Sequence, residues 1–297
     1  MRHLRLLLLL SAAVAAAIAA TYSMMFRPGS FSPPGELIDE ARFQDYHIKI
    51  YYRHLEGFRE RIFNRLPSVL SDFSYRVPGL RAWSGAEILQ NGRRVFSCYG
   101  AELAIAQFGS NNVAGIDITG DGVPNIALTD KLGRQGGGEI YLFECGKTFR
   151  QIAHIESLGE YPEFRDVDSN GIPEITASDN AFYHFPTPAD GQPMPTLILR
   201  WRNGQYVAAK DLMSKAPPAK DELEAKAARW RSASDPEEFA DISDEFSATV
   251  LELLYSGNEC LAWQFIDASF DDPLEKEDFI ARLQSRLEQS AYWPHLR

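Results

Sequence analysis

The residues best placed to do chemistry stand in two matching turns. The first reads Asp117-Ile118-Thr119-Gly120-Asp121-Gly122-Val123-Pro124-Asn125-Ile126, and the second Asp166-Val167-Asp168-Ser169-Asn170-Gly171-Ile172-Pro173-Glu174-Ile175. Each carries oxygen-bearing side chains at positions 1, 3, 5 and 9, a glycine at position 6, and Pro-x-Ile at its exit. A hard cation such as calcium takes about six to eight oxygens. Alternate residues of a tight turn aim their oxygens inward, and position 7, Val123 or Ile172, adds its backbone carbonyl. Gly122 and Gly171 permit the positive φ of such a turn. An EF-hand would need a bidentate Glu at position 12, where this chain has Leu128 and Ala177. The flanks, Ile126-Ala127-Leu128 and Glu174-Ile175-Thr176, read as strands. The competing reading is that Asp and Gly make ordinary turns here and hold no metal.

On these residues the segment 100–180 resembles the FG-GAP repeats of integrin-type β-propellers and the related VCBS repeats. In that family a loop of pattern D-x-D-x-D-G-x-x-D joins two strands of a blade and binds calcium. The resemblance implies structural calcium. Its ligands in the first loop would be Asp117, Thr119, Asp121, the carbonyl of Val123, and Asn125. In the second they would be Asp166, Asp168, Asn170, the carbonyl of Ile172, and Glu174. The chain departs from the pattern at Thr119, Asn125 and Asn170, where the family has acids, and Phe108-Gly109 only echoes its Phe-Gly segment. The second loop offers three carboxylates and the first two, so ligand charge favours tighter binding in the second. The loops lie 49 residues apart (166 minus 117); the same interval upstream reaches Asp72 to Pro78, and downstream Ser214 to Pro218. Neither repeats the pattern. A closed propeller takes about four or more blades, so a smaller array of blade-like units with helical caps is expected.

The elements that must position these loops define an α+β chain. At 297 residues, 45% hydrophobic and 24% charged, it is globular and long enough for one or two cores. A net charge of −11 argues against a nucleic-acid partner. Residues 1–20 read as a signal peptide, with Arg2 and Arg5, an apolar run from Leu6 to Ala20, and an Ala17-Ile18-Ala19 cleavage motif. The alternative is an uncleaved anchor over residues 6–25, the one case in which a membrane contact is expected. Residues 21–35, with Pro28, Gly29, Pro33 and Pro34, read as a linker. Residues 36–75 are expected to be a helical segment, because Leu37, Ala41, Ile48, Tyr51, Tyr52, Leu55, Phe58, Ile62 and Phe63 recur at three- and four-residue steps before Pro67. Residues 76–213 read as the β-repeat domain, with hairpin turns at Asn91-Gly92 and Asn203-Gly204. Gly136-Gly137-Gly138 reads as a hairpin loop, since no Gly-Lys-Ser/Thr ending makes it a phosphate loop.

Residues 214–297 read as a C-terminal helical domain, with helices over Lys220–Trp230, Phe246–Tyr255, Glu259–Phe270 and Leu274–Leu287. The turn from Tyr255 to Ala262 is similar to that of a tetratricopeptide repeat, although an ordinary helical hairpin accounts for it equally. Tyr292 and Trp293 are expected to pack against the helices, or else to form a docking tag. Cys98 and Cys145 could form a bridge in an oxidising compartment, and Cys260 is expected to be a buried thiol. His47 and His54 read as ordinary imidazoles. His154 and His184 lie near the loops and could act as bases. The familiar local signatures of hydrolases, metalloproteases, phosphate loops and dinucleotide sites are missing. The expected function is an exported, periplasmic or secreted, calcium-binding β-repeat module. It would bind or scaffold a protein or polymer of the cell envelope, and the residues leave enzymatic activity open. The alternative is a periplasmic hydrolase whose metal loops are only structural.

Overall fold

The computed structural model describes Pro33 and residues 35–54, 82–131, 137–185, 193–232 and 236–297. The expected signal segment, most of the linker, and residues 55–81 lie outside these. Three larger antiparallel sheets, of four, five and four strands, follow one another along the described residues. The first is a meander of β1 (Glu36–Phe43), β2 (Tyr46–His54), β3 (Ala82–Gln90) and β4 (Arg93–Gly100). The second has the order β11-β10-β9-β5, from β5 (Leu103–Ile105), β9 (Asn125–Lys131), β10 (Gly138–Cys145) and β11 (Phe149–Ser157). Before β9 come a small hairpin, β6 (Gln107–Phe108) with β7 (Asn111–Asn112), and β8 (Ala114–Ile116), which pairs with β9. The third sheet is a meander of β12 (Glu163–Arg165), β13 (Glu174–Ser178), β14 (Thr196–Arg202) and β15 (Gln205–Ala208). Helices then take over: α1 (Lys210–Met213), α2 (Lys220–Ser232), α3 (Pro236–Tyr255), α4 (Glu259–Ser269), α5 (Pro273–Gln289) and α6 (Trp293–Leu296). The α+β class follows directly.

The helix expected from residue 36 is corrected over residues 36–54, which form a hairpin; the rest of that expectation lies outside the described residues. Tyr46, Ile48 and Ile50 are 3%, 0% and 0% exposed, while His47 and Lys49 between them are only half-buried. That is the two-residue period of a strand. The helical spacing arose from adding the apolar residues of β1 to those of β2 across the turn at Gln44-Asp45. The β-branched and aromatic content of β2 suits a pleated surface. The two Asn-Gly turns are hairpins, as expected. Asn91 and Gly92 have φ of 50° and 75°, and Asn203 and Gly204 52° and 83°. Two successive positive φ values match the twist of the flanking strands.

The second sheet is the middle layer, and both of its faces are buried. Ile126, Leu128 and Phe143 face the first sheet and share a core with Ile48, Ile50, Ala86 and Ile88. Ala127, Ile140 and Leu142 face the other way, into a larger core with Ile175, Leu197 and Leu199 of the third sheet. The helices close the same core through Phe246, Leu251, Phe265, Phe279 and Leu283.

Helices and sheets meet at one buried carboxylate. Asp179, 2% exposed, follows β13 and caps a short 3-10 turn by accepting from the Ala181 N–H. Its Oδ2 also accepts from the Tyr255 hydroxyl at the end of α3, at 2.6 Å, and from the Ser290 hydroxyl after α5. The Ser290 oxygen accepts in turn from the Tyr292 and Trp293 N–H groups. Trp293 is buried and its ring lies 5.6 Å from that of Tyr255, so this tail ring packs inward. Burial, and then the Asp179 charge, push the Tyr255 hydroxyl pKa up and keep it a donor.

The cysteines differ from expectation. All three are free. Cys98 pairs with Ala86 on β3, whereas Cys145 ends β10 opposite Phe149, so the two do not hold comparable places. Cys260 is exposed, because α4 buries Ala262, Phe265, Ile266 and Ser269 instead.

Asp179→Ala should leave two buried hydroxyl donors unpaired. Each such group costs about 1–3 kcal/mol, so a loss of about 3 kcal/mol is expected in urea unfolding. Hydrogen exchange of residues 290–296 should rise before that of β13 and β14. A loss below about 1 kcal/mol would contradict the keystone role.

Candidate functional site: two adjoining Asp-Gly loops

The two loops occupy the same place in successive sheets. The first joins β8 to β9, and the second joins β12 to β13. Their internal hydrogen bonds repeat position by position. At position 1, Asp117 Oδ2 accepts from the Gly122 N–H and Asp166 Oδ2 from the Gly171 N–H, at 2.8 and 2.9 Å. At position 5, Asp121 accepts from the Val123 N–H and Asn170 from the Ile172 N–H. At position 9, Asn125 Oδ1 accepts from the Ile118 N–H and Glu174 Oε2 from the Val167 N–H. Short acceptor side chains that capture nearby backbone donors hold such turns without help from a sheet.

The loops touch. A Cβ on Gly120 would lie 2.5 Å from Ile172 Cδ1, and Gly120 has φ of 73°. Glycine is therefore needed there twice over, for backbone and for space.

Of the ten residues expected as ligands, the second loop brings three carboxylates together. One oxygen each from Asp166, Asp168 and Glu174 lie within 4.8 Å of one another. Calcium sits about 2.3–2.6 Å from its oxygens, so this spread fits one ion. In the first loop, Thr119 and Gly120 donate to Asp117 Oδ1, and Asn125 Oδ1 lies 3.5 Å from the Thr119 hydroxyl. Asp121 faces its own turn, on the Val123 N–H.

A cation already stands at the second loop. Arg200 on β14 lies one step beyond the paired Ile175 and Leu199, across from Glu174. Its Nη2 donates to Asp168 Oδ2 at 2.8 Å, its Nε to Glu174 Oε1 at 3.1 Å, and its Nη1 to Asp211 Oδ2 at 2.8 Å. Burial disfavours its charge, but the hydrogen bonds to Asp211 and Glu174 outweigh this and raise its pKa. The hydrogen bond from Arg200 also holds the Asp211 carboxyl below its ordinary range. Close by on β15, the Tyr206 hydroxyl is buried with no hydrogen-bond partner among the described residues. Burial, then the Glu174 charge, push its pKa up.

The first loop is built differently across the strands. Asn125 faces Glu144, and Glu144 is held by Arg150 through Nε at 3.0 Å and Nη2 at 2.8 Å. Sequence reasoning missed Arg200, Glu144 and Arg150, because they come from neighbouring strands. The usable signal was an arginine directly after the apolar run Leu197-Ile198-Leu199 and before Trp201.

Other titratable groups gather on the second sheet. Glu139 Oε2 takes hydrogen bonds from the Tyr141 hydroxyl and from His154 Nε2, and the rings of Tyr141 and His154 stack at 4.5 Å. Opposite Glu139 lies Asp130, 4% exposed, whose carboxylate accepts from the Ala101 and Glu102 N–H groups. Burial pushes Asp130 up to about 6 despite those bonds. The His184 ring lies against that of Tyr183, tilted by 49°. Two clefts of about 410 and 800 Å³ lie among β14, α1 and α3 and among α2, α3 and α5, and neither is lined by these residues. Comparison of the chain with protein-family models, with curated proteins and with solved structures finds no match.

Two outcomes follow. Asp130 binds its proton more tightly in the fold than in the unfolded chain, so its contribution to stability is complete below about pH 4. It falls as pH rises towards 6, by about 1.4 kcal/mol per pKa unit, and is level above that. Urea unfolding of wild type minus Asp130→Asn should show that slope, and parallel curves would refute it. Gly120→Ala should cost about 1–2 kcal/mol for its left-handed backbone, plus the clash. Adding Ile172→Ala should relieve only the clash, giving a coupling above about 0.5 kcal/mol in a double-mutant cycle. Additive losses would mean that the loops do not pack.

Proposed function

We propose that the chain is an exported β-repeat module stabilised by calcium, with a binding or scaffold role at the cell envelope. The observation that carries this reading is the position-by-position repetition of one oxygen-lined loop in two adjoining sheets. Two loops with the same donor geometry, touching at Gly120 and Ile172, are more than two incidental turns. Three successive antiparallel sheets, each with a run of four neighbouring strands and the middle one with a fifth, β8, support a blade-like repeat, with the helices capping its end. Calcium is supported by the all-oxygen donor set and by the spread of Asp166, Asp168 and Glu174. The ion would cancel repulsion between carboxylates held close by the turn.

A binding role is favoured over hydrolysis by where His154 and its partner Glu139 lie. His154, with its side chain 47% exposed, and Glu139 sit on a strand face and not in a cleft. The cleft among β14, α1 and α3 is lined mainly by apolar side chains such as Met194 and Leu251, and the one among α2, α3 and α5 mixes Phe246 and Phe279 with Asp271, Asp272, Glu275 and Asp278. Among the described residues no helix is long and apolar enough to cross a membrane.

Calcium added to chelated protein should raise the melting midpoint. A ligand at a hundredfold excess over its Kd adds about 2.7 kcal/mol, and about 2–4 °C accompanies each kcal/mol in a chain of this size. A rise of several degrees is expected in scanning fluorimetry, and a smaller one with magnesium, which gives up its water reluctantly. A midpoint unmoved at millimolar calcium would reduce both loops to turns.

A further inference from the structure

We propose that copies of this chain join through the first sheet, with β1 of one copy against β4 of the next. The sheet runs in order from β1 to β4, and no strand lies beyond either end among the described residues. An edge strand carries a row of backbone N–H and C=O groups able to pair with another chain. Both edges here are also apolar. Leu37 and Ile38 on β1 are 47% and 58% exposed, and Val95 on β4 is 36% exposed. These are three of the six large hydrophobic side chains exposed among the described residues, so bare apolar surface gathers on the two edges.

The charges choose the pairing. Glu36, Asp39 and Glu40 make β1 acidic, and Arg93 and Arg94 open β4 with a basic pair. Within the sheet, His47 holds Glu40 at 2.7 Å and Glu87 holds Arg94 at 3.3 Å. Glu36, Asp39 and Arg93 have no ion-pair partner among the described residues. Two β1 edges would set acid against acid, and two β4 edges arginine against arginine. Only β1 against β4 attracts, so the charges that bar like pairing favour the unlike one. Strand direction agrees. Neighbours in the sheet are antiparallel throughout, so β1 runs opposite to β4, and a second copy in the same orientation continues the alternation. A register that sets Asp39 against Arg93 sets Leu37 against Val95 and leaves Glu40 diagonal to Arg94, both within reach in an antiparallel pair. Pairing of β1 with β2 skips Ile38, and that of β4 with β3 skips Val95. Such bulges bend a strand, which keeps the contact short and the association weak. The two patches differ, so the contact is heterologous and no two-fold axis closes it.

Sedimentation velocity of the full chain at low salt tests this. A chelator excludes calcium, and a nonionic detergent keeps the apolar run from Leu6 to Ala20 from associating by itself. The average mass should rise with chain concentration and fall as salt is added. Asp39→Lys and Arg93→Glu should each weaken association about fivefold, by turning an attractive cross-strand pair into a repulsive one. The chain carrying both substitutions should regain it, because the pair is restored with its signs exchanged. Both side chains are exposed, and unchanged melting midpoints will show that the fold is kept. A monomer at every concentration, a mass that neither substitution lowers, or a double variant no better than the single ones would overturn the proposal.

Discussion

The buried carboxylate of Asp179 is the constraint on which the rest of the architecture leans. It draws three hydrogen bonds from three separate parts of the chain: a 3-10 turn, the end of α3, and the residue after α5. Buried charge is tolerated only when fully hydrogen-bonded, so these elements must arrive together or not at all. Once they do, Phe182 and Phe185 are fixed against Tyr255 and Phe279. The apolar core then continues unbroken from the second sheet to the last helix. Shape comes from hydrophobic burial, which has no direction; the register between helices and sheets comes from Asp179, which does.

The loops obey the same physics at the surface. An Asp or Asn there accepts backbone N–H groups first, and that shapes the turn. What remains is a concentration of oxygen that attracts positive charge. In the second loop the chain answers that demand from its own β14, through Arg200. In the first loop Asn replaces Glu at position 9, and the nearby arginine turns to Glu144 instead. The same turn has thus been given two different electrostatic surroundings by the strands beside it.

The sequence carried the local features and missed the non-local ones. The loops, the Asn-Gly hairpins and four of the helices were legible because each depends on residues within about ten positions. The hairpin at 36–54 was misread, since Leu37, Ala41, Ile48 and Tyr51 mimic a helical stripe when two strands are read as one segment. Only the alternation of Tyr46, Ile48 and Ile50 could have corrected it. Arg200 reaches Glu174 across 26 positions and Asp179 reaches Ser290 across 111. No periodicity links residues so far apart. Cys260 looked buried because Leu261 and Ala262 follow it, although a helix turns each residue to a different side.

The sheet with two buried faces has a consequence for how the molecule comes together in time. One face of the second sheet is covered by residues that precede it in the chain, and the other by residues up to Trp293 and Leu296. Contacts between residues so distant in sequence make folding slow, because loop closure comes before any gain from burial. During that interval the far face of the sheet, with Ile140 and Leu142, remains uncovered. The intermediate would be open to self-association, and the last residues of the chain would act as its lid.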